Sequence, residues 1–283
     1  MPPSAPTSRL RKHDVRGMTL SFTILGCGSS MGVPRVALGW GACDPNNPKN
    51  RRRRTSLLVE RRGLATGITR VLIDTTPDLR EQLLGAGVDW LDGVLYTHEH
   101  ADHAHGIDDL RPLFIHRRRR VDVYLDERTS RLMNSRFGYC FVQPAGSEYP
   151  PIVTEHRLMA GTPVTVEGQG GAITALPLLQ RHGEISTLGF RFGDFAYSCD
   201  LCDLPPDSVA ALQGLKVWVL DALRETPHPS HFSLSDALTW IERLKPERAI
   251  LTNLHSDLDY KALRARLPPH VEPGFDGLRI DME

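Results

Sequence analysis

The feature that most constrains this chain is a dense string of metal-binding side chains placed directly after a short apolar stretch. Residues 93–97 predict a buried strand, and His98-Glu99-His100-Ala101-Asp102-His103 follows at once. These imidazoles and carboxylates cannot all point one way from a single strand or helix, whereas a loop at a strand end can aim them at two neighbouring metals. A lone His-x-His is usually a solvated turn, but the full string predicts a two-metal centre at a sheet edge.

One loop cannot supply every ligand of a metal pair, and the sequence offers three further donors in similar positions. Each lies at or just beyond the end of a predicted strand, where converging loops build sites: His182 follows the strand 172–178, Asp200 follows 195–199, and His255 follows 248–252. A single His or Asp in a loop is usually solvated. Together with the string, these residues predict the remaining ligands of the centre.

The rest of the chain alternates short strands with occasional helices. Further strands are predicted at residues 19–25, 55–60, 69–74, 121–125, 163–167, 188–192 and 216–221, and helices at residues 77–87, 127–137, 233–244 and 259–267. No linker divides them, so we expect one domain over residues 19–283, after a disordered tail at residues 1–18. The fold class is α/β (α+β), with two packed mixed sheets flanked by helices.

The amino-acid composition limits the kinds of partner and the cellular compartment that we expect for this chain. Lys plus Arg and Asp plus Glu balance at 34 each, which argues against a large nucleic acid or a membrane surface as partner. No apolar run approaches the roughly 20 residues of a membrane span. The five cysteines are an odd number in a long chain, so a disulfide framework is not expected. We therefore expect a cytoplasmic protein.

The order of these donors resembles the metallo-β-lactamase superfamily, over about residues 19–281. The resemblance implies a four-layer αββα sandwich with two divalent metal ions at one edge of the sheets, manganese or zinc, with iron also acceptable to these ligands. It assigns a first metal to His98, His100 and His182, a second to Asp102, His103 and His255, a bridging role to Asp200, and to Asp74 the orientation of ligands. Relatives carry the last histidine as Leu-Thr-His. This chain has Asn253 there, so the prediction moves the role to His255.

Two loops resemble the phosphodiesterase branch of that superfamily, and in particular phosphoribosyl 1,2-cyclic phosphate phosphodiesterases of phosphonate breakdown. They are Gly26-Cys27-Gly28-Ser29-Ser30 with the following Gly32-Val33-Pro34 and Cys43-Asp44-Pro45, and the closing Gly274-Phe275-Asp276-Gly277. The resemblance implies hydrolysis of a small phosphodiester or nucleotide-like ligand, and suggests a homodimer. Asp102 and His231 are the predicted catalytic residues, with His231 as general acid or phosphate donor. Ser29, Ser30, Arg35 and His228 are the predicted substrate contacts.

Three other functions remain open at this level. A tRNA 3′-processing ribonuclease-like phosphodiesterase would need an extended basic arm, and no insertion of that kind is evident. A thioester hydrolase of the glyoxalase II type fits the Gly-Ser-Ser loop and the His231 region less well. A non-catalytic carrier resembling the pyrroloquinoline quinone carrier could lose ligands freely, whereas the ligand set here is nearly complete.

Overall fold

The structure is a computed structural model that describes residues 19–63 and 67–282. The tail predicted at residues 1–18 lies outside the described residues. The strands are β1 (Leu20–Gly26), β2 (Ser56–Arg62), β3 (Ile68–Ile73), β4 (Gly93–Leu95), β5 (Val121–Leu125), β6 (Val153–Arg157), β7 (Val164–Val166), β8 (Ile173–His182), β9 (Ile185–Phe192), β10 (Phe195–Ser198), β11 (Val217–Asp221), β12 (Arg248–Thr252), β13 (Val271–Pro273) and β14 (Arg279–Met282). The helices are α1 (Leu79–Ala86), α2 (Ala101–Ala104), α3 (Arg111–Arg117), α4 (Glu127–Phe141), α5 (Pro206–Ala211), α6 (Leu234–Leu244) and α7 (Tyr260–Arg266). No helix of these described residues is long and apolar enough to cross a membrane.

Two mixed sheets of seven strands each form the centre of the fold. The first has the order β14-β1-β2-β3-β4-β5-β6, and the second has the order β13-β12-β11-β10-β9-β8-β7. Helices α1 to α4 follow strands of the first sheet, and α5 to α7 follow strands of the second. The predicted αββα sandwich is confirmed.

Alternation along the strands explains the layering. Successive side chains of a strand point to opposite faces. Leu57 and Val59 of β2 therefore belong to the core between the sheets, whereas Leu58 belongs to the core under the helices of the first sheet. Phe22 of β1 stacks on Phe195 of β10 with ring centroids 3.7 Å apart, which joins the two sheets through the central layer. Ile241 of α6 packs with Trp218 and Leu220 of β11 in the core on the outer face of the second sheet.

Strand direction brings the predicted site residues to one edge. Strands β10, β11 and β12 are mutually parallel, and β8 runs in the same direction because β9 is antiparallel to both β8 and β10. The carboxyl ends of these four strands therefore meet at the same edge of the second sheet. In the first sheet β3 and β4 are also parallel, and their ends lead to Asp74 and to the histidine string.

Several elements were not predicted from the sequence. They include β6, β13 and β14 and the short helices α2, α3 and α5. Strand β14 pairs with β1, which lies more than 250 residues earlier in the chain. A pairing of that kind depends on tertiary contact, and local sequence patterns carry little information about it.

Candidate metal centre

The histidine string is directed by a strand end and a helix start. The chain leaves β4, passes through Thr97 and His98, and enters α2 at Ala101. Within the string Glu99 points away from the other donors, because its carboxylate accepts hydrogen bonds from Arg128 of α4. The backbone carbonyl of Glu99 also accepts from Arg136. Helix α4 therefore fixes the loop from behind while the remaining side chains face the sheet edge.

The imidazole Nε2 atoms converge on one carboxylate oxygen. Oδ2 of Asp200 lies 3.3 Å from Nε2 of His103, 3.6 Å from Nε2 of His98 and 3.8 Å from Nε2 of His182. His100 belongs to the same group, since its donor atom lies within 4.8 Å of those of His98, His182 and Asp200. Asp102 approaches from the other side, with Oδ2 3.4 Å from Nε2 of His103.

The Nδ1 atoms of three of these histidines are held by other groups of the protein, and these contacts orient the Nε2 atoms toward Asp200. Nδ1 of His98 lies 2.9 Å from Oγ1 of Thr97, Nδ1 of His103 lies 2.7 Å from Oδ2 of Asp74, and Nδ1 of His182 lies 2.7 Å from the carbonyl of Ser230. Metal-binding histidines almost always use the second ring nitrogen in this way, which fixes the tautomer and the ring direction.

A divalent metal fits this donor set. Nε2 of His98 and Nε2 of His103 are buried and have no hydrogen-bond partner. Orphaned buried polar atoms are costly, and a cation between them and Asp200 would satisfy both. Burial, followed by the charge of His103, holds the pKa of His98 well below its usual range, so its imidazole is neutral as a ligand must be. Burial likewise lowers the pKa of His182.

The charge balance also favours a cation. Burial by itself would lower the pKa of His103, but the carboxylates of Asp200, Asp102 and Asp74 together raise it well above its usual range. Burial acts against the ionised form of Asp200, yet the adjacent imidazoles, His103 foremost, hold its pKa well below the ordinary value. The three carboxylates around His103 therefore concentrate negative charge, which a bound cation would balance in place of a proton on His103.

Asp74 lies behind the candidate ligands, and its role in orienting them stays a prediction. It is fully buried and accepts from the backbone N–H of Thr97 at 2.8 Å and from its hydroxyl at 2.7 Å, in addition to facing His103. Asp74, Asp200 and Asn253 all have positive φ angles, of 64°, 52° and 59°. Such backbone conformations are uncommon outside glycine and collect at functional sites.

A second histidine cluster adjoins the metal centre. The ring of His231 lies 4.5 Å from that of His182 and 5.0 Å from that of His228. Nδ1 of His231 lies 2.8 Å from Oδ2 of the fully buried Asp221, at the end of β11. Burial lowers the pKa of His231, but Asp221 outweighs it and raises the pKa to about 9. His231 is therefore a cation at neutral pH, beside the centre.

Asp221 was missed from the sequence. The signal was present, since Val217-Trp218-Val219-Leu220 is an apolar strand and Asp221 ends it in the same manner that Asp200 follows β10. Its role as partner of His231 becomes visible only when the segment 222–231 has folded back over the strand end.

The prediction that His255 completes the ligand set is corrected by the structure. Nε2 of His255 lies 2.9 Å from Nη1 of Arg35, and Nδ1 lies 3.0 Å from Asp257. Both ring nitrogens are thus engaged outside the histidine cluster, and His255 is in none of the candidate metal groups found among residues 19–63 and 67–282. The physical reason is the turn at Asn253, which directs the Asn253 side chain at Asp200 and carries His255 onward to Arg35.

The four predicted substrate contacts differ in their burial and in their hydrogen bonds. Ser29 is buried and its hydroxyl has no hydrogen-bond partner, whereas Ser30 is exposed. His228 accepts from the N–H of Ser230, whose carbonyl orients His182. Arg35 is occupied by His255, although its Nε is buried without a partner. Their roles toward a substrate stay predictions.

Comparison with known proteins agrees with this geometry. Residues 69–253 match the family described as the Beta-lactamase superfamily domain. The crystal structure of a diphosphatase of the PhnP family is 35% identical, with a TM-score of 0.83, and the match covers 94% of this chain and 98% of the other. The chain belongs to the metallo-β-lactamase superfamily, in its PhnP-like branch. The family and its ligand set indicate a metal-binding hydrolase.

Two further matches are a solved structure of lower sequence identity and a relative that is longer than this chain. The zinc-bound PqqB of Methylobacterium extorquens is 17% identical with a TM-score of 0.67, covers 93% of this chain and 100% of the other, and bears on the fold alone. A curated octanoyltransferase of Porphyromonas gingivalis is 34% identical over 260 residues, or 90% of this chain. This chain spans only 50% of that relative's length, so the name describes a protein about twice as long as the matched part.

Proposed function

We propose that this chain is a two-metal phosphodiesterase that hydrolyses a small cyclic phosphodiester of the phosphoribosyl 1,2-cyclic phosphate type. The observation that carries the proposal is that two groups of side chains with different chemistry lie next to each other. One is the set of unpartnered imidazole nitrogens around Oδ2 of Asp200, and the other is the cationic His231 against the ring of His182. The first group suits the attack of water, and the second suits the departure of an alkoxide.

The division of labour follows from the chemistry of a phosphodiester. When bound, two divalent metals, manganese or zinc, would lower the pKa of water and neutralise a nonbridging phosphate oxygen. His98, His100 and His182 would hold one, Asp102 and His103 the other, with Asp200 between them. The leaving oxygen needs a proton, and His231 carries one that Asp221 stabilises through Nδ1.

The relative of the PhnP family is described as a diphosphatase, which favours phosphorus chemistry over thioester hydrolysis and makes a phosphoanhydride the second candidate substrate. The protein loaded with manganese and with zinc is therefore tested on five substrates. These are ribose 1,2-cyclic phosphate, bis(4-nitrophenyl) phosphate, a nucleoside diphosphate, a pre-tRNA and a glutathione thioester. We expect turnover of ribose 1,2-cyclic phosphate and of bis(4-nitrophenyl) phosphate. Turnover of the thioester alone would overturn the proposal, and turnover of the nucleoside diphosphate alone would move it to the second candidate.

The role of His231 is tested through leaving groups. His231→Ala removes the proton donor, so hydrolysis of the cyclic ribose phosphate is expected to slow by about 10²–10⁴-fold. The same variant should lose far less on bis(4-nitrophenyl) phosphate, because nitrophenolate leaves without a proton. The matched control is His270→Ala, since His270 is exposed and stands at the amino end of β13, a strand parallel to β12, whereas the candidate ligands lie at the carboxyl ends of the strands. Metal content should stay unchanged in both variants; loss of metal from His231→Ala would make His231 a ligand instead.

A further inference from the structure

The two oxygens of Asp200 have different neighbours. Oδ2 faces the imidazole nitrogens, with His103 nearest at 3.3 Å. Oδ1 accepts a hydrogen bond from Nδ2 of Asn253 at 3.0 Å and another from the thiol of Cys199 at 2.9 Å. One oxygen is therefore directed at the cation centre, while the other is held by the protein.

The two sides of Asp200 differ in how many nitrogen and oxygen donors they offer a cation. On one side, His98, His100 and His182 complete a group with Asp200, which gives three nitrogens and one oxygen. On the other side, His103 and Asp102 approach, which gives one nitrogen and two oxygens when Asp200 is counted. The neighbouring imidazoles have contacts of their own: Nδ1 of His231 is held by Asp221, and His255 is held by Arg35 and Asp257.

Asn253 directly follows β12 at this edge of the sheet, and its side chain is directed at Asp200. It is 2% exposed, and its Nδ2 lies 3.0 Å from Asp200 and 3.1 Å from Nδ1 of His231. An ionised carboxylate only accepts hydrogen bonds, so the amide must present its NH₂ group to Asp200. An amide nitrogen in this orientation is a donor of protons, and it offers no lone pair to a cation.

We infer that Asn253 makes the two cation positions unequal, because its amide orients Asp200 and supplies no ligand. The position of His98, His100 and His182 binds a divalent cation tightly and prefers zinc, since three imidazoles suit that metal. The position of Asp102 and His103 binds more weakly and prefers the harder manganese, since carboxylate oxygens dominate it. The inference rests on the proposed two-metal function.

The direct test is metal binding to the native sequence without substrate. Metal-free protein is titrated with Co²⁺ while the visible d–d bands are recorded, and zinc retained after dialysis is counted per chain. We expect two separate steps, whose dissociation constants differ by about 10–100-fold or more, since losing even an outer partner of a ligand costs that much. In a mixture of Zn²⁺ and Mn²⁺, one of each should be retained. Two equal steps, or two zincs held equally, would overturn the inference.

Substitution at the same position supplies the second measurement. Asn253→His adds an imidazole at a backbone conformation that histidine tolerates, so the second Co²⁺ step should tighten while the first stays in place. Asn253→Ala removes the donor to Asp200 without adding a ligand, so the second step should weaken further. A second step that is unchanged in Asn253→His would refute the inference. These titrations use no substrate, so failure of the substrate panel would sink the proposed reaction and leave this result standing.

Discussion

The contact between Asp221 and His231 gives the sharpest prediction for the reaction. Asp221 is fully buried, and its Oδ2 lies 2.8 Å from Nδ1 of His231. Burial alone would lower the pKa of His231, so the rise to about 9 is due first to this carboxylate and then to Asp200. Asp221→Asn keeps the shape of the side chain and removes its charge. We expect the pKa of His231 to fall to its ordinary value or below.

The magnitude follows from the protonated fraction of His231. At pH 8 a pKa of about 9 leaves about nine-tenths of the imidazole protonated, whereas an ordinary value of about 6.5 leaves about 3%. A general acid acts in its protonated form, so activity is present below the pKa and is lost as the pH rises through it. Asp221→Asn should therefore cost about thirtyfold in kcat/KM at pH 8 and little at pH 6.

The assay is the pH profile of kcat/KM on a cyclic phosphodiester with a poor leaving group. Cations bound beside Asp200 act on His231 in both proteins, so the difference between the two alkaline limbs is the quantity measured. Thermal unfolding of both proteins checks that Asp221→Asn remains folded. An alkaline limb at the same pH in the two proteins would refute the assignment of His231 as the proton donor.

Two further predictions concern the supports of the site. Asp74→Asn removes the buried carboxylate that faces Nδ1 of His103, and we expect metal affinity to fall by about 10–100-fold, measured as metal retained in dialysis against a chelator. Arg52 is 2% exposed and donates to two backbone carbonyls of the segment after β12. Arg52→Met removes the charged donor from both carbonyls and leaves the buried carbonyl of Leu258 without this partner, so the free energy of unfolding should fall by about 2–5 kcal/mol in urea. The exposed Arg51→Ala should change it by less than about 0.5 kcal/mol; an equal loss in both would contradict the buried role.

Much of the fold and of the candidate centre could be predicted because the signals are local. Alternating apolar residues mark the strands, and the donors of the histidine string, His182 and Asp200 all stand at strand ends. Parallel strands in a sheet end at a common edge, so a sequence that marks strand ends also marks which side chains will meet. The grouping of these donors follows from that one regularity, whereas the four-layer αββα order was implied by the resemblance to the superfamily.

Arg52 shows where a local signal misleads. It belongs to a run of four arginines, and such a run usually lies on a solvated surface. The structure buries Arg52, because its guanidinium reaches carbonyls of His255 and Leu258, two hundred residues away. A charge pattern records composition, whereas burial depends on which distant backbone groups come within hydrogen-bond distance.

The histidine string determined, from the sequence alone, that this chain would gather metal-binding donors at a sheet edge. Only the tertiary structure decided how their set is completed. Strand β12 stays paired with β11 as far as Thr252, and the chain then turns through the positive φ of Asn253. That turn sends the amide to Asp200 and His255 to Arg35. A shift of two residues leaves a sequence pattern almost unchanged, but it decides which side chain reaches the centre.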